Sequence, residues 1–134
     1  MLFRSQQPVR GKTVLVVDDD AVVRAAAVDM LESYGFDVLF SASGIDALGI
    51  VGSARPVDLI MADFSLGGMN GIELVRQARA IKPHLRAILI SGHGDVKNRV
   101  TAADRITVLQ KPLRAEEMLQ HVREALVADE EDAI

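Results

Sequence analysis

The sequence predicts an α/β domain: a doubly wound sheet of five parallel strands with helices on both faces. Three observations carry that expectation. Short apolar, β-branched runs recur, "TVLVV", "VDLIMA" and "RAILIS" among them, and unbroken apolar strands are typical of sheets buried on both sides. Stretches with helical spacing separate these runs, so strand and helix alternate along the chain. At 134 residues, 49% hydrophobic and 25% charged, the chain has the size and apolar content for one domain with one core.

The elements follow in order. "TVLVV" (13–17), bounded by acids, is the first strand. "DAVVRAAAVDMLESYG" is a helix with Val23, Ala27, Met30, Leu31 and Tyr34 on its inward face, closed by Gly35. "FDVLFS" (36–41) is the second strand, and 43–54 a helix with Ile45, Leu48 and Val51 spaced for one face. "VDLIMA" (57–62) is the third strand, followed by a glycine-rich loop and the helix "GIELVRQARAIKP", which ends near Pro83 because the residue before proline resists helix. "RAILIS" (86–91) is the fourth strand, "DVKNRVTAADR" a short polar helix, "ITVLQ" (106–110) the fifth strand, and "RAEEMLQHVREALV" a last helix with Leu119, Val122 and Leu126 inward. The expected organisation is an N-terminal extension (1–11), a single domain (12–127) and an acidic tail (128–134) that carries "DEED".

Composition removes several function classes. The net charge is −4, aromatics number four Phe and one Tyr, and no basic stripe is present, so nucleic-acid binding by this chain is not expected. The absence of cysteine excludes a disulfide framework and thiolate metal sites. No apolar run approaches the ~18 residues of a membrane helix. The leading "MLFRSQQPVRGK" has no signal-peptide core. No membrane insertion and a cytoplasmic setting are therefore expected.

Right-handed crossovers bring every strand-to-helix loop to one edge of such a sheet, where ligands bind at the switch in strand order. The first strand ends in Asp18, Asp19 and Asp20, the third runs into Asp63, the fourth ends in Ser91, and the fifth leads to Lys111 and Pro112. With strand order 2-1-3-4-5, strands one and three are neighbours, so Asp18, Asp19 and Asp63 converge. Each residue alone has an ordinary reading: Asp63 as a turn former, Asp20 as a helix N-cap, Ser91 as a cap, Lys111 as a solvated lysine, Pro112 as a helix opener. The combination is more demanding. Three carboxylates within ~4–6 Å raise one another's pKa unless a cation lies among them. An all-oxygen donor set suits a hard ion such as Mg²⁺. A hydroxyl and an ammonium beside that ion fit an arriving phosphoryl group, and a carboxylate can be its acceptor, forming an aspartyl phosphate. On this reading Asp63 is the acceptor, and Asp18 and Asp19 hold the metal.

The motifs "VLVVDDD", "LIMADFSLGGMNGIEL", "AILISG" and "LQKPL", in this order, resemble the receiver domain of two-component response regulators across residues 12–127. The resemblance implies a flavodoxin-like, chemotaxis-regulator-like fold and a phosphorelay signalling role rather than a turnover enzyme. It implies that Asp63 takes a phosphoryl group from the phosphohistidine of a sensor histidine kinase or histidine phosphotransfer protein, and that an output partner the sequence does not name reads the result. Mg²⁺ would be bound by Asp19, Asp63 and the backbone carbonyl of Ser65, with Asp18 acting through water. Ser91 and Lys111 would follow the phosphoryl group, and the Lys111–Pro112 bond would be cis.

Three departures from the family pattern stand out. Gly67 replaces a usual proline, which predicts a more mobile loop. Val108 stands where many receivers place a switching aromatic. The stretch from Ser91 to Lys111 is roughly half a turn short, predicting a reduced fourth helix. Ser65 and His93 occupy positions that influence phosphate lifetime. The chain fits a stand-alone receiver, the receiver of a hybrid sensor histidine kinase, with which "RGKTVLVVDDDAVVR" and "LISGHG" have affinity, or an unphosphorylated pseudo-receiver. An aspartate-nucleophile phosphohydrolase needs a second acid where Ser65 stands. A flavin module needs a phosphate-cradling loop where three acids stand.

Overall fold

The computed structural model describes residues 11–92 and 94–132 and, within them, all side chains except those of 95 and 128–132. His93, most of the N-terminal extension and the last two residues lie outside the described residues. Strands β1 (Thr13–Val17), β2 (Asp37–Ser41), β3 (Leu59–Asp63), β4 (Arg86–Ser91) and β5 (Ile106–Gln110) form one sheet in the order β2-β1-β3-β4-β5. Every pairing is parallel. Helices α1 (Ala21–Ser33), α2 (Gly44–Val51), α3 (Gly71–Ile81) and α4 (Ala115–Asp132) cover it.

Alternation along each strand divides the core in two. Leu15, Val17, Ile60, Ala62, Ala87 and Leu89 face Ala47 and Val51 of α2 and Ile72, Val75 and Ala78 of α3. Val14, Val16, Leu59, Met61, Ile88 and Leu109 face Leu31 of α1 and Met118, Leu119, Val122 and Leu126 of α4. Both layers are buried, which is why the strands carry apolar residues at successive positions. The inward face expected for the last helix is as the spacing predicts, although that helix continues to Asp132, across the 127/128 boundary.

Other expectations need correction. Strand β3 begins at Leu59 rather than Val57, because the Asp58 carboxylate accepts the Thr13 N–H at 2.8 Å and takes the place of a ladder carbonyl. It extends through Asp63, so the acid is the last strand residue, paired with Ile90, and does not lie beyond the strand. In α1 only Leu31 of the expected face is buried; Val23 and Tyr34 are exposed. Val23 stays exposed and lines an apolar groove with Met30, Pro112, Leu113 and Met118. Tyr34 is covered on one face by the Arg123 guanidinium. In α2 the buried residues are Gly44, Ala47 and Val51, and Ile45 points to solvent. Small residues set that choice: a Cβ on Gly44 would lie 2.8 Å from the Met69 sulfur.

The helix expected over 95–105 is two 3₁₀ segments, Gly94–Arg99 and Ala102–Asp104. Val96 is the buried apolar anchor of the stretch, too little burial to hold a regular α-helix against its nucleation cost. The second segment ends at Arg105 in the left-handed region, φ 50°. Arg79 of α3 fixes that end by donating to the carbonyls of Leu85 at 3.0 Å, Arg105 at 2.8 Å and Asp104.

Candidate functional site

The carboxyl edge gathers the residues that the sequence singled out. One carboxylate oxygen from each of Asp18, Asp19 and Asp63 lies within 4.8 Å of the others. The Lys111 ammonium sits 3.0 Å from Asp63 Oδ1. Each position follows from the chain locally. Asp18 is buried at the end of β1; its N–H donates to the Ser41 carbonyl, and its Oδ1 accepts from the Asp20 N–H at 2.9 Å. Asp20 is the N-cap of α1, its carboxylate accepting from the Val22 and Val23 N–H groups at 2.9 and 3.2 Å. Ser91 is buried at the end of β4, and its carbonyl accepts the Lys111 N–H at 2.8 Å, fixing the start of the β5–α4 loop. The Lys111–Pro112 bond is cis.

After Asp63, the Phe64 N–H donates to Ile90 and the Phe64 carbonyl accepts from the Gly71 N–H at 2.7 Å. Ser65 bridges to Asn70, closing the loop between β3 and α3. Gly67 within it has φ +78°, which proline cannot adopt, so glycine here meets a backbone requirement of the loop. Val108 is half-buried and packs against the core layer that holds Leu89 and Ala87.

Three carboxylates face one ammonium, a local charge of about −2 with all groups ionised. Burial raises the Asp18 pKa, and the charges of Asp63 and Asp19 add to it, against the Asp20 amide and Lys111. Burial works to lower the Lys111 pKa, but the hydrogen bond and charge of Asp63, with Asp18 and Asp19, outweigh it and hold it above its ordinary value. The uncompensated charge and all-oxygen donors fit a hard divalent cation.

A consequence is measurable. An acid whose folded pKa is raised binds its proton more tightly folded than unfolded, so stability falls as pH rises through the window from about 4 to the raised value. Asp18→Asn keeps the oxygen that accepts from Asp20. It is expected to stabilise the metal-free chain at pH 7 and to leave its stability unchanged at pH 3, in urea melts.

Two contributors were not legible in the sequence. Arg24 Nη1 donates to the Asp18 carbonyl at 2.9 Å, a bond that depends on the loop's shape. Gly71 lets α3 approach the β3 loop closely. The capping box of α3, Asn70 with Glu73, did have a signal in "NGIE".

Residues 14–123 match the response regulator receiver domain model, and the chain belongs to that family. It is 35% identical over 115 residues to the C4-dicarboxylate transport transcriptional regulatory protein DctD of Rhizobium meliloti, covering 84% of this chain and 25% of that protein, so it spans about a quarter of that relative's length. It is 29% identical over 118 residues to the sporulation initiation phosphotransferase F of Bacillus subtilis, covering 87% of this chain and 94% of the other. The crystal structure of a CheY-like receiver domain protein from Methanospirillum hungatei superposes with a TM-score of 0.83 at 25% identity, over 91% of this chain and 98% of the other. The chain is thus a receiver of two-component signalling, a class of signalling module that uses Mg²⁺, partners histidine kinases or phosphotransferases, and is generally not a turnover enzyme. Among the described residues no helix is long and apolar enough to cross a membrane.

Proposed function

We propose that Asp63 accepts a phosphoryl group from a phosphohistidine of a sensor histidine kinase or histidine phosphotransfer protein, and that the acyl phosphate changes what the chain binds. The observation that carries this reading is the Lys111 ammonium 3.0 Å from Asp63 Oδ1 inside the acidic triad. An Asp63 oxygen attacks phosphorus, the P–N bond breaks, and the imidazole leaves with the electron pair and takes a proton from solvent. Asp18, Asp19, Asp63 and the Ser65 carbonyl are the residues that would hold Mg²⁺; when bound, it supplies positive charge against the phosphoryl oxygens. Lys111 passes from the Asp63 carboxylate to a phosphoryl oxygen, and the Ser91 hydroxyl donates to another. The cysteine-free sequence fits a cytoplasmic setting for this exchange.

Incubated with acetyl phosphate and Mg²⁺, the wild-type chain is expected to gain the mass of one phosphoryl group, and EDTA to prevent it. An unmodified chain that also fails to bind beryllofluoride would overturn the proposal.

A further inference from the structure

We infer that Arg24 is a positioning residue for Asp19, the exposed member of the acidic triad, and that Phe40 orients Arg24 for the task. The inference rests on the metal-holding role proposed for Asp19. Its basis is a bracket. The Arg24 backbone N–H donates to the Asp20 carbonyl at 2.9 Å, and its guanidinium Nη1 donates to the Asp18 carbonyl, also at 2.9 Å. One residue therefore grips the carbonyls on both sides of Asp19. The Asp18 carbonyl belongs to the planar peptide that joins Asp18 to Asp19, and a hydrogen bond on its oxygen restrains that plane from turning. That restrains ψ of Asp18 and φ of Asp19, the backbone torsions from which the Asp19 side chain departs.

Asp19 needs this support more than its neighbours do. Asp18 is buried and hydrogen-bonded to the Asp20 amide, and Asp63 is held by β3 and Lys111. Asp19 lies past the last residue of β1 with its side chain in solvent, so the backbone alone places it. The guanidinium is itself located. It lies over the Phe40 ring, 5.8 Å from the centroid, which also explains an aromatic left 58% exposed on the edge strand β2. Phe40 is paired with Val16 of β1, so the platform is tied to the strand that carries the acids.

Charge alone predicts the opposite effect. Deleting a cation beside an acidic cluster should strengthen Mg²⁺ binding; loosening the Asp18–Asp19 peptide should weaken it. Arg24→Ala is expected to weaken Mg²⁺ affinity about tenfold, the scale of lost outer-shell support in metal sites. NMR titration of the Asp19 amide reads the affinity, and a melt shows the fold retained. Arg24→Lys, which keeps the charge but not the planar stack, should recover part of the loss, and Phe40→Ala should reproduce part of it. In an Asp19→Asn background Arg24→Ala should have no further effect. Arg24→Ala binding Mg²⁺ as tightly as or more tightly than wild type, or weakening it equally in the Asp19→Asn background, would overturn the inference and leave the receiver site standing. A wild-type chain with no Mg²⁺ affinity would overturn both.

Discussion

An Asp63→Asn chain is expected to gain no phosphoryl mass from acetyl phosphate and Mg²⁺ under conditions where the wild type gains one, with intact mass reading both. The carboxamide has the shape of the carboxylate but not its nucleophilic charge. The variant poses a sharp question because two other carboxylates stand within 4.8 Å. Asp18 is buried and committed to the Asp20 amide, and Asp19 has no ammonium against it comparable to that of Lys111 on Asp63. Uptake of phosphoryl by the variant at Asp18 or Asp19 would overturn the assignment of Asp63.

The fold should survive this change. Removing Asp63's charge relieves repulsion on Asp18 and strands a lysine whose side chain is 40% exposed, so water can solvate the ammonium. The Lys111 pKa is expected to fall, because Asp63 is the main influence holding it up against burial. Selective NMR of the Lys111 Nζ resolves that directly. The sign for stability follows. A lysine with a raised folded pKa contributes stability that is complete below its unfolded pKa and lost as pH rises through the folded value. The stability difference between wild type and Asp63→Asn should therefore be constant at neutral pH and shrink above about pH 10.4.

Much of this architecture was legible because the strands are buried on both faces. Runs such as "VLVV" and "AILI" suit a covered parallel sheet, and its topology then brings Asp18, Asp19, Asp63, Ser91 and Lys111 to one edge. Helical periodicity was a weaker guide. It assumes that a helix buries one face along its length, whereas in α1 Leu31 alone of the expected face is buried and Val23 lines an open groove. In α2 the close approach at Gly44 turned Ala47, not Ile45, inward. The stretch 95–105 had only sparse apolar residues to show, and it folds as 3₁₀ turns stapled by Arg79, a residue far away in sequence. Arg24 was illegible for a related reason: a guanidinium bound to a carbonyl leaves no periodic trace. Gly71 was hidden among five nearby residues of "GGMNG" whose roles only the packing separates.

Gly71→Ala is expected to slow phosphorylation by acetyl phosphate about 10- to 100-fold and to lower stability by up to about 2 kcal/mol. The added methyl would lie 2.7 Å from Leu89 Cδ2, 3.1 Å from the Asp63 carbonyl oxygen and 3.2 Å from Phe64 Cα. Leu89 is fully buried in the core, and the other two atoms are backbone, so none can yield cheaply. Gly71 opens α3 without a positive φ, so the cost is steric rather than conformational. Alanine's better helix propensity, worth about 1 kcal/mol, offsets part of an overpacking cost of about 1–3 kcal/mol. The remainder must appear as movement: either α3 retreats from the sheet and strains the 2.7 Å bond from Gly71 N–H to the Phe64 carbonyl, or the Asp63–Phe64 backbone shifts. In the second case Asp63, the proposed acceptor, moves against Asp18 and Lys111, and a displacement of about 1 Å at a reacting group costs on the order of 10²-fold. Gly68→Ala is the control, since a Cβ there meets nothing within 4 Å and Gly68 has no positive φ; it should leave rate and stability unchanged. If Gly71→Ala loses stability but phosphorylates at the wild-type rate, the helix has retreated and the Asp63 backbone is held by β3 pairing alone. A loss of both ties the position of Asp63 to the contact between α3 and the β3 loop.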